Sequence, residues 1–123
     1  MQPPALISVV DDDVSPRESL PDLLNLLGFS AASFASAEEF LASDALARTR
    51  CLLLDVSMPG MSGPALQSEL NRRGISIPII FITGNSDPHL RADLIARGAV
   101  ECLFKPFGER DLRSALDLVA DTT

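Results

Sequence analysis

Short apolar runs alternate along this chain with stretches whose apolar residues recur every three or four positions. The first run, Ala5-Leu6-Ile7-Ser8-Val9-Val10, is rich in β-branched residues, stops at Asp11-Asp12-Asp13, and predicts a strand. Ser15-Pro16-Arg17-Glu18 then predicts a helix start, with Ser15 as N-cap, Pro16 in the first turn and Glu18 completing a capping box. Leu20, Leu23, Leu24 and Leu27 follow at helical spacing, and Gly28 is the stop. Pro21 sits inside that helix, where a missing donor costs roughly 3 kcal/mol, so a kink is expected there.

Residues 31–34 predict a weaker second strand, followed by a short helix through Ala37, Phe40 and Leu41. Cys51-Leu52-Leu53-Leu54 is continuously apolar, as in a central strand buried on both faces, and ends at Asp55. The loop Met58-Pro59-Gly60-Met61-Ser62-Gly63 leads into a third helix with Leu66 and Leu70 inward and Arg72-Arg73-Gly74 at its end. Residues 77–82 predict a fourth strand ended by Thr83-Gly84-Asn85. Residues 87–97 predict a helix with Leu90, Leu94 and Ile95 facing the core and Gly98 as its stop. Residues 100–104 predict a fifth strand ended by Lys105-Pro106, and residues 109–119 a last helix.

Five strand–helix units in succession, joined by right-handed crossovers, predict one α/β domain over residues 1–123. The expected architecture is a doubly wound five-stranded parallel sheet with helices on both faces, in the flavodoxin-like strand order 2-1-3-4-5. A ligand site in such a sheet lies at the carboxyl ends of the strands, near the switch in strand order.

Charge narrows the field. With 10 Lys and Arg against 17 Asp and Glu the net charge is −7, and no basic cluster exists to meet a nucleic-acid backbone. Direct nucleic-acid binding by this chain is therefore not expected. Cys51 and Cys102 each lie in an apolar run, the pattern of buried free thiols in a reducing compartment. Residues 1–4 resemble no signal peptide and no apolar run approaches bilayer length, so a cytoplasmic location without membrane association is expected.

The candidate chemistry stands at the strand ends. Strand one ends in Asp11, Asp12 and Asp13, strand three in Asp55, strand four in Thr83 and strand five in Lys105. A parallel sheet brings these ends to one edge. Two carboxylates about 4 Å apart repel by roughly 4 kcal/mol at an effective dielectric of ~20, so several together call for a cation. Oxygen ligands without a His or Cys cluster suit a hard ion, and Mg²⁺ fits a small open site. A carboxylate beside Mg²⁺, a lysine and a hydroxyl can attack phosphorus, because the cations stabilise the oxygens of the transferring group.

Val9-Val10-Asp11-Asp12-Asp13, Leu54-Asp55-Val56-Ser57-Met58-Pro59-Gly60-Met61-Ser62-Gly63, Ile82-Thr83-Gly84 and Phe104-Lys105-Pro106-Phe107 resemble the receiver domains of two-component response regulators. The resemblance runs the length of the chain, and the stretch from Met58 to Gly63 is most similar to receivers that carry helix-turn-helix output domains. It implies that Asp55 is the phosphoacceptor and that Asp11, Asp12, Asp55 and the backbone carbonyl of Ser57 hold Mg²⁺. It implies further that Thr83 is the switch hydroxyl, that Lys105 bonds the acyl phosphate, and that the Lys105–Pro106 bond is cis. The implied donor is a sensor histidine kinase. The implied readout is an output domain, or a homodimer formed through the fourth helix, fifth strand and fifth helix. One position departs: where the family has Tyr or Phe three residues before the lysine, this chain has Cys102, and Phe104 is expected to point elsewhere.

Each residue also has a plainer reading. Asp55 could be a loop aspartate after a buried strand, Thr83 a turn hydroxyl and Lys105 a solvated lysine. Asp13 is expected to be solvated, His89 an exposed helix residue, and Met58, Met61 and Cys102 packing groups. Arg72 and Arg73 complement a helix dipole and need no partner. An aspartate-nucleophile phosphatase would need a second acid at Ser57. A flavin or nucleotide module would need a phosphate-cradling loop where Asp11-Asp12-Asp13 stands. A degenerate receiver, acting as a phosphorylation-independent interaction module, is the closer alternative. The reading favoured is a Mg²⁺-dependent phosphoacceptor switch, a signalling domain rather than an enzyme.

Overall fold

A computed structural model of the protein describes residues 5–85 and 87–121. In chain order the elements are β1 Leu6–Val10, α1 Val14–Leu26, β2 Ser30–Phe34, α2 Ala37–Leu41, a 3-10 turn at Asp44–Ala47, and β3 Thr49–Asp55. They continue with α3 Gly63–Arg72, β4 Ile79–Thr83, α4 Pro88–Ala96, β5 Glu101–Phe104 and α5 Glu109–Asp121. The strands pair in parallel in the order β2-β1-β3-β4-β5. This is the doubly wound sheet and the strand order expected.

The pleat divides the core in two. Ile7, Val9, Cys51, Leu53, Ile80, Ile82 and Leu103 pack on one face against Leu20 and Leu24 of α1 and Leu112, Ala115 and Leu116 of α5. On the other face Val10, Leu52, Leu54, Phe81 and Cys102 pack against Phe40 of α2, Leu66 and Leu70 of α3 and Leu94 of α4. Only strands covered on both sides can be apolar at consecutive positions, which is why Cys51 to Leu54 reads as an unbroken run. One polar pair lies within the sheet: the Ser8 and Thr49 hydroxyls are 2.7 Å apart, and Thr49 Oγ1 donates to the Ala45 carbonyl at 2.7 Å.

Several local details differ from expectation. The α1 N-cap is Asp13, whose carboxylate accepts from the Ser15 N–H at 3.2 Å. Ser15 is instead inside the helix, and Asp13 has a capping role rather than simple solvation. A carboxylate two residues earlier satisfies the same orphan donors, so capping residues this close are hard to separate from sequence. The helix runs through Pro21 as one element. Ile95 is 36% exposed, whereas Leu94 is buried and Leu90 is partly buried against the core. Arg72 and Arg73 do have a partner: both bond Glu69, at 2.6 and 2.7 Å. No described helix is long and apolar enough to cross a membrane.

Candidate functional site

Register aligns the chemistry. Val10 pairs with Leu54, Asp55 with Ile82, and Thr83 with Phe104. Asp11, Asp55, Thr83 and Lys105 therefore stand at or one residue past matched ladder positions along a single edge. The β1 end is pinned by the Asp11 N–H donating to the Phe34 carbonyl at 3.1 Å, and the β5 end by the Lys105 N–H donating to the Thr83 carbonyl at 2.8 Å.

Asp11 is fully buried, Asp55 is 7% exposed and Asp12 is exposed. One carboxylate oxygen from each lies within 4.8 Å of the other two. Asp11 Oδ1 accepts from the Asp13 N–H at 2.9 Å, whereas Asp11 Oδ2 has no aligned hydrogen-bond donor. Lys105 Nζ is 2.9 Å from Asp11 Oδ2, close enough for an ion pair but outside hydrogen-bond alignment, and 3.9 Å from Asp55 Oδ2. Lys105 supplies this buried oxygen with charge but no aligned donor, an arrangement that a further cation would complete.

Burial, together with the close approach and charge of the Asp11 carboxylate, pushes the Asp55 carboxyl up from 3.8 to about 7, against the pull of Lys105 and the Ser57 N–H. Burial pulls the Lys105 ammonium down, but the Asp11 carboxylate, with Asp55 and Asp13, outweighs it and leaves its pKa raised. The site therefore holds more negative charge than one lysine neutralises.

The loop after β3 wraps Asp55 closely. Ser57 N–H donates to Asp55 Oδ1 at 3.4 Å, and Gly63 N–H donates to the Val56 carbonyl at 3.0 Å. A Cβ at Gly63 would overlap the Asp55 carbonyl oxygen, so only glycine fits against that backbone. Thr83 is buried, and its Oγ1 accepts from the Asn85 N–H at 3.0 Å, which leaves the hydroxyl hydrogen free to donate. The Lys105–Pro106 bond is cis.

The family described as "Response regulator receiver domain" matches residues 7–117. The chain belongs to that family. Nodulation protein W of Bradyrhizobium diazoefficiens is 45% identical over 112 residues, covering 91% of this chain and 49% of that protein. Response regulator protein TodT of Pseudomonas putida is 40% identical over 112 residues, with the same two coverages, 91% and 49%. The crystal structure of FixJ-N superposes with a TM-score of 0.85 at 34% identity, over 100% of this chain and 98% of that one. The receiver spans about half the length of the curated relatives it matches.

The edge thus brings together Asp11, Asp12, Asp55, Ser57 and Lys105, with Thr83 at the adjoining ladder position. His89 stands apart on α4, exposed, its N–H bonded to the Asp87 cap. Cys102 is a buried packing residue, and Phe104 packs against the same core cluster, not elsewhere as expected. Positions two apart on a strand share a face, and that period decides the matter. One residue escaped sequence reading altogether. Glu38 of α2 accepts from the Met61 N–H at 3.3 Å, reaching the acceptor loop from 23 residues away.

Proposed function

We propose that Asp55 of this receiver accepts a phosphoryl group from a sensor histidine kinase, with Mg²⁺ held by Asp11, Asp12, Asp55 and the Ser57 carbonyl. The observation that carries this reading is the buried Asp11 oxygen without a hydrogen bond, set within an all-oxygen acid cluster beside Lys105. The residues fit a hard divalent ion: they are oxygen ligands on strand ends, with no His or Cys among them. When bound, such an ion neutralises the acids and the oxygens of the transferring group.

Asp55 supplies the nucleophile. One of its carboxylate oxygens forms the new bond to phosphorus as the bond from phosphorus to the donor imidazole nitrogen breaks, the electron pair leaving with that nitrogen. Lys105 lies where its ammonium can pair with a phosphoryl oxygen, 3.9 Å from Asp55. The Thr83 hydroxyl has a hydrogen free to donate to another. Phosphorylation adds about −1.5 to −2 charge at the edge, which draws both groups inward and biases a two-state element.

The readout proposed is the face formed by α4, β5 and α5, where Ile95 and Leu118 are exposed and Arg91 bonds Glu101 at 2.7 Å. An output domain or a second copy would use it. With Cys102 in place of an aromatic residue, coupling from Thr83 to this face runs through other side chains. The degenerate alternative is not favoured, since the acid pair, Asp55, Thr83 and Lys105 are all present. The test is intact mass after incubation with Mg²⁺ and a small acyl or amido phosphodonor. One added phosphate on the wild type and none on Asp55→Asn is expected; no addition to folded, Mg²⁺-bound wild type would refute the assignment.

A further inference from the structure

The loop from Val56 to Ser62 links the acceptor to α3, and it carries the Ser57 carbonyl assigned above to the metal. Its base is closed by the Gly63 N–H to Val56 carbonyl bond, and Met58 is buried beneath it. Its tip has one further hold. Glu38 Oε2 accepts from the Met61 N–H at 3.3 Å, and a Cβ at Gly60 would stand 2.8 Å from that same oxygen. Gly60 has a φ of 74°, a backbone conformation that favours glycine, and a side chain there would displace the Glu38 carboxylate.

The helix that carries this side chain is held firmly. Ser36 caps α2 by accepting from the Glu39 N–H at 3.1 Å, and Glu39 Oε2 accepts in return from the Ala35 N–H at 3.3 Å. This reciprocal pair closes the first turn. Ala37 and Phe40 are fully buried, and the Phe40 ring meets Phe34 edge-on at 5.5 Å. Phe34 in turn offers the carbonyl that holds the Asp11 N–H. The same short helix is thus fastened to the β1 acids on one side and to the acceptor loop on the other.

We infer that Glu38 is a positioning residue for the phosphoacceptor site, its carboxylate fixing the loop that presents the Ser57 carbonyl beside Asp55. The inference rests on the assignment of Asp55 and Ser57 under "Proposed function". An N–H held by a charged acceptor is worth more than one bonded to water, and the loop has few other ties. Glu38→Ala frees the Met61 N–H and lets the loop tip sample other conformations. Glu38→Gln keeps an amide oxygen able to accept the same bond.

The experiment compares wild type, Glu38→Ala and Glu38→Gln by amide hydrogen exchange at Met61 and by calorimetric titration with Mg²⁺ alone. Alanine is expected to speed Met61 exchange by about tenfold and weaken Mg²⁺ binding by roughly threefold to tenfold. Circular dichroism and melting should stay close to wild type, and glutamine should restore most of both losses. Unchanged exchange and affinity in Glu38→Ala would overturn the inference. So would faster exchange with unchanged affinity, or a glutamine variant as deficient as alanine. A folded wild type that binds no Mg²⁺ refutes the underlying site assignment instead, and is distinguished because it appears before any substitution at Glu38.

Discussion

Replacing Asp55 with Asn should stabilise the metal-free protein, because the folded edge opposes the charge that residue carries. The Asp55 carboxyl rises from 3.8 to about 7 on folding, chiefly through burial and the nearby Asp11. About three units at 1.36 kcal/mol each give an upper limit of about 4 kcal/mol. Relaxation of the loop and access of water to the edge reduce this, and about 2 kcal/mol is the expected gain. For a domain of this size that corresponds to roughly 5–10 °C in Tm.

The sign follows from the direction of the shift. A carboxyl whose folded pKa is raised favours the folded state fully below 3.8, and that contribution is lost as pH rises through about 7. The advantage of Asn is therefore small near pH 4 and complete at about pH 8. Asn also keeps an oxygen for the Ser57 N–H and adds a donor toward Asp11. The chain has no Trp and no Tyr, so unfolding is followed by far-ultraviolet circular dichroism or calorimetry. Added Mg²⁺ should narrow the gap by stabilising the wild type more. An Asn variant no more stable than wild type at pH 8, with chelator present, would refute the electrostatic account.

Other perturbations test neighbouring parts of the argument. Gly63→Ala forces a methyl group against the Asp55 carbonyl and should cost about 1–3 kcal/mol by urea denaturation, with slower phosphorylation; a neutral result would show that the backbones can separate freely. Lys105→Met removes the cation 2.9 Å from Asp11 Oδ2 and should destabilise the metal-free fold by about 1–2 kcal/mol, since the lysine is partly exposed; equal stability at pH 8 would deny that the pair matters. Burial pushes the Cys51 thiol up to about 12 and, with the Glu101 carboxylate, raises that of Cys102. Both should resist an aromatic disulfide reagent in the folded protein and react once urea unfolds it; rapid reaction of either in native buffer would contradict the burial.

The sequence alone determined the strand–helix alternation and the edge at which the chemistry gathers. Apolar runs of β-branched residues and leucines end abruptly at Asp11, Asp55, Thr83 and Lys105, and a parallel sheet has only one place for such endings. Those features are legible because burial acts on each residue locally, and periodicity records it. Tertiary structure decided what depends on contact between distant segments. Why Gly63 must lack a side chain follows from a distance no period encodes, whereas the Glu69 pairs with Arg72 and Arg73 are i,i+3 and i,i+4 neighbours that helical spacing does encode. Cys102 and Phe104 share a face by strand period, yet their common core became visible only once β5 was placed. Glu38 is the clearest case: in sequence it is one of two adjacent helix carboxylates, and only the packing of α2 beside the acceptor loop separates its role from that of Glu39. Hydrogen bonds between segments depend on angstrom-scale placement, which hydrophobic patterning leaves open.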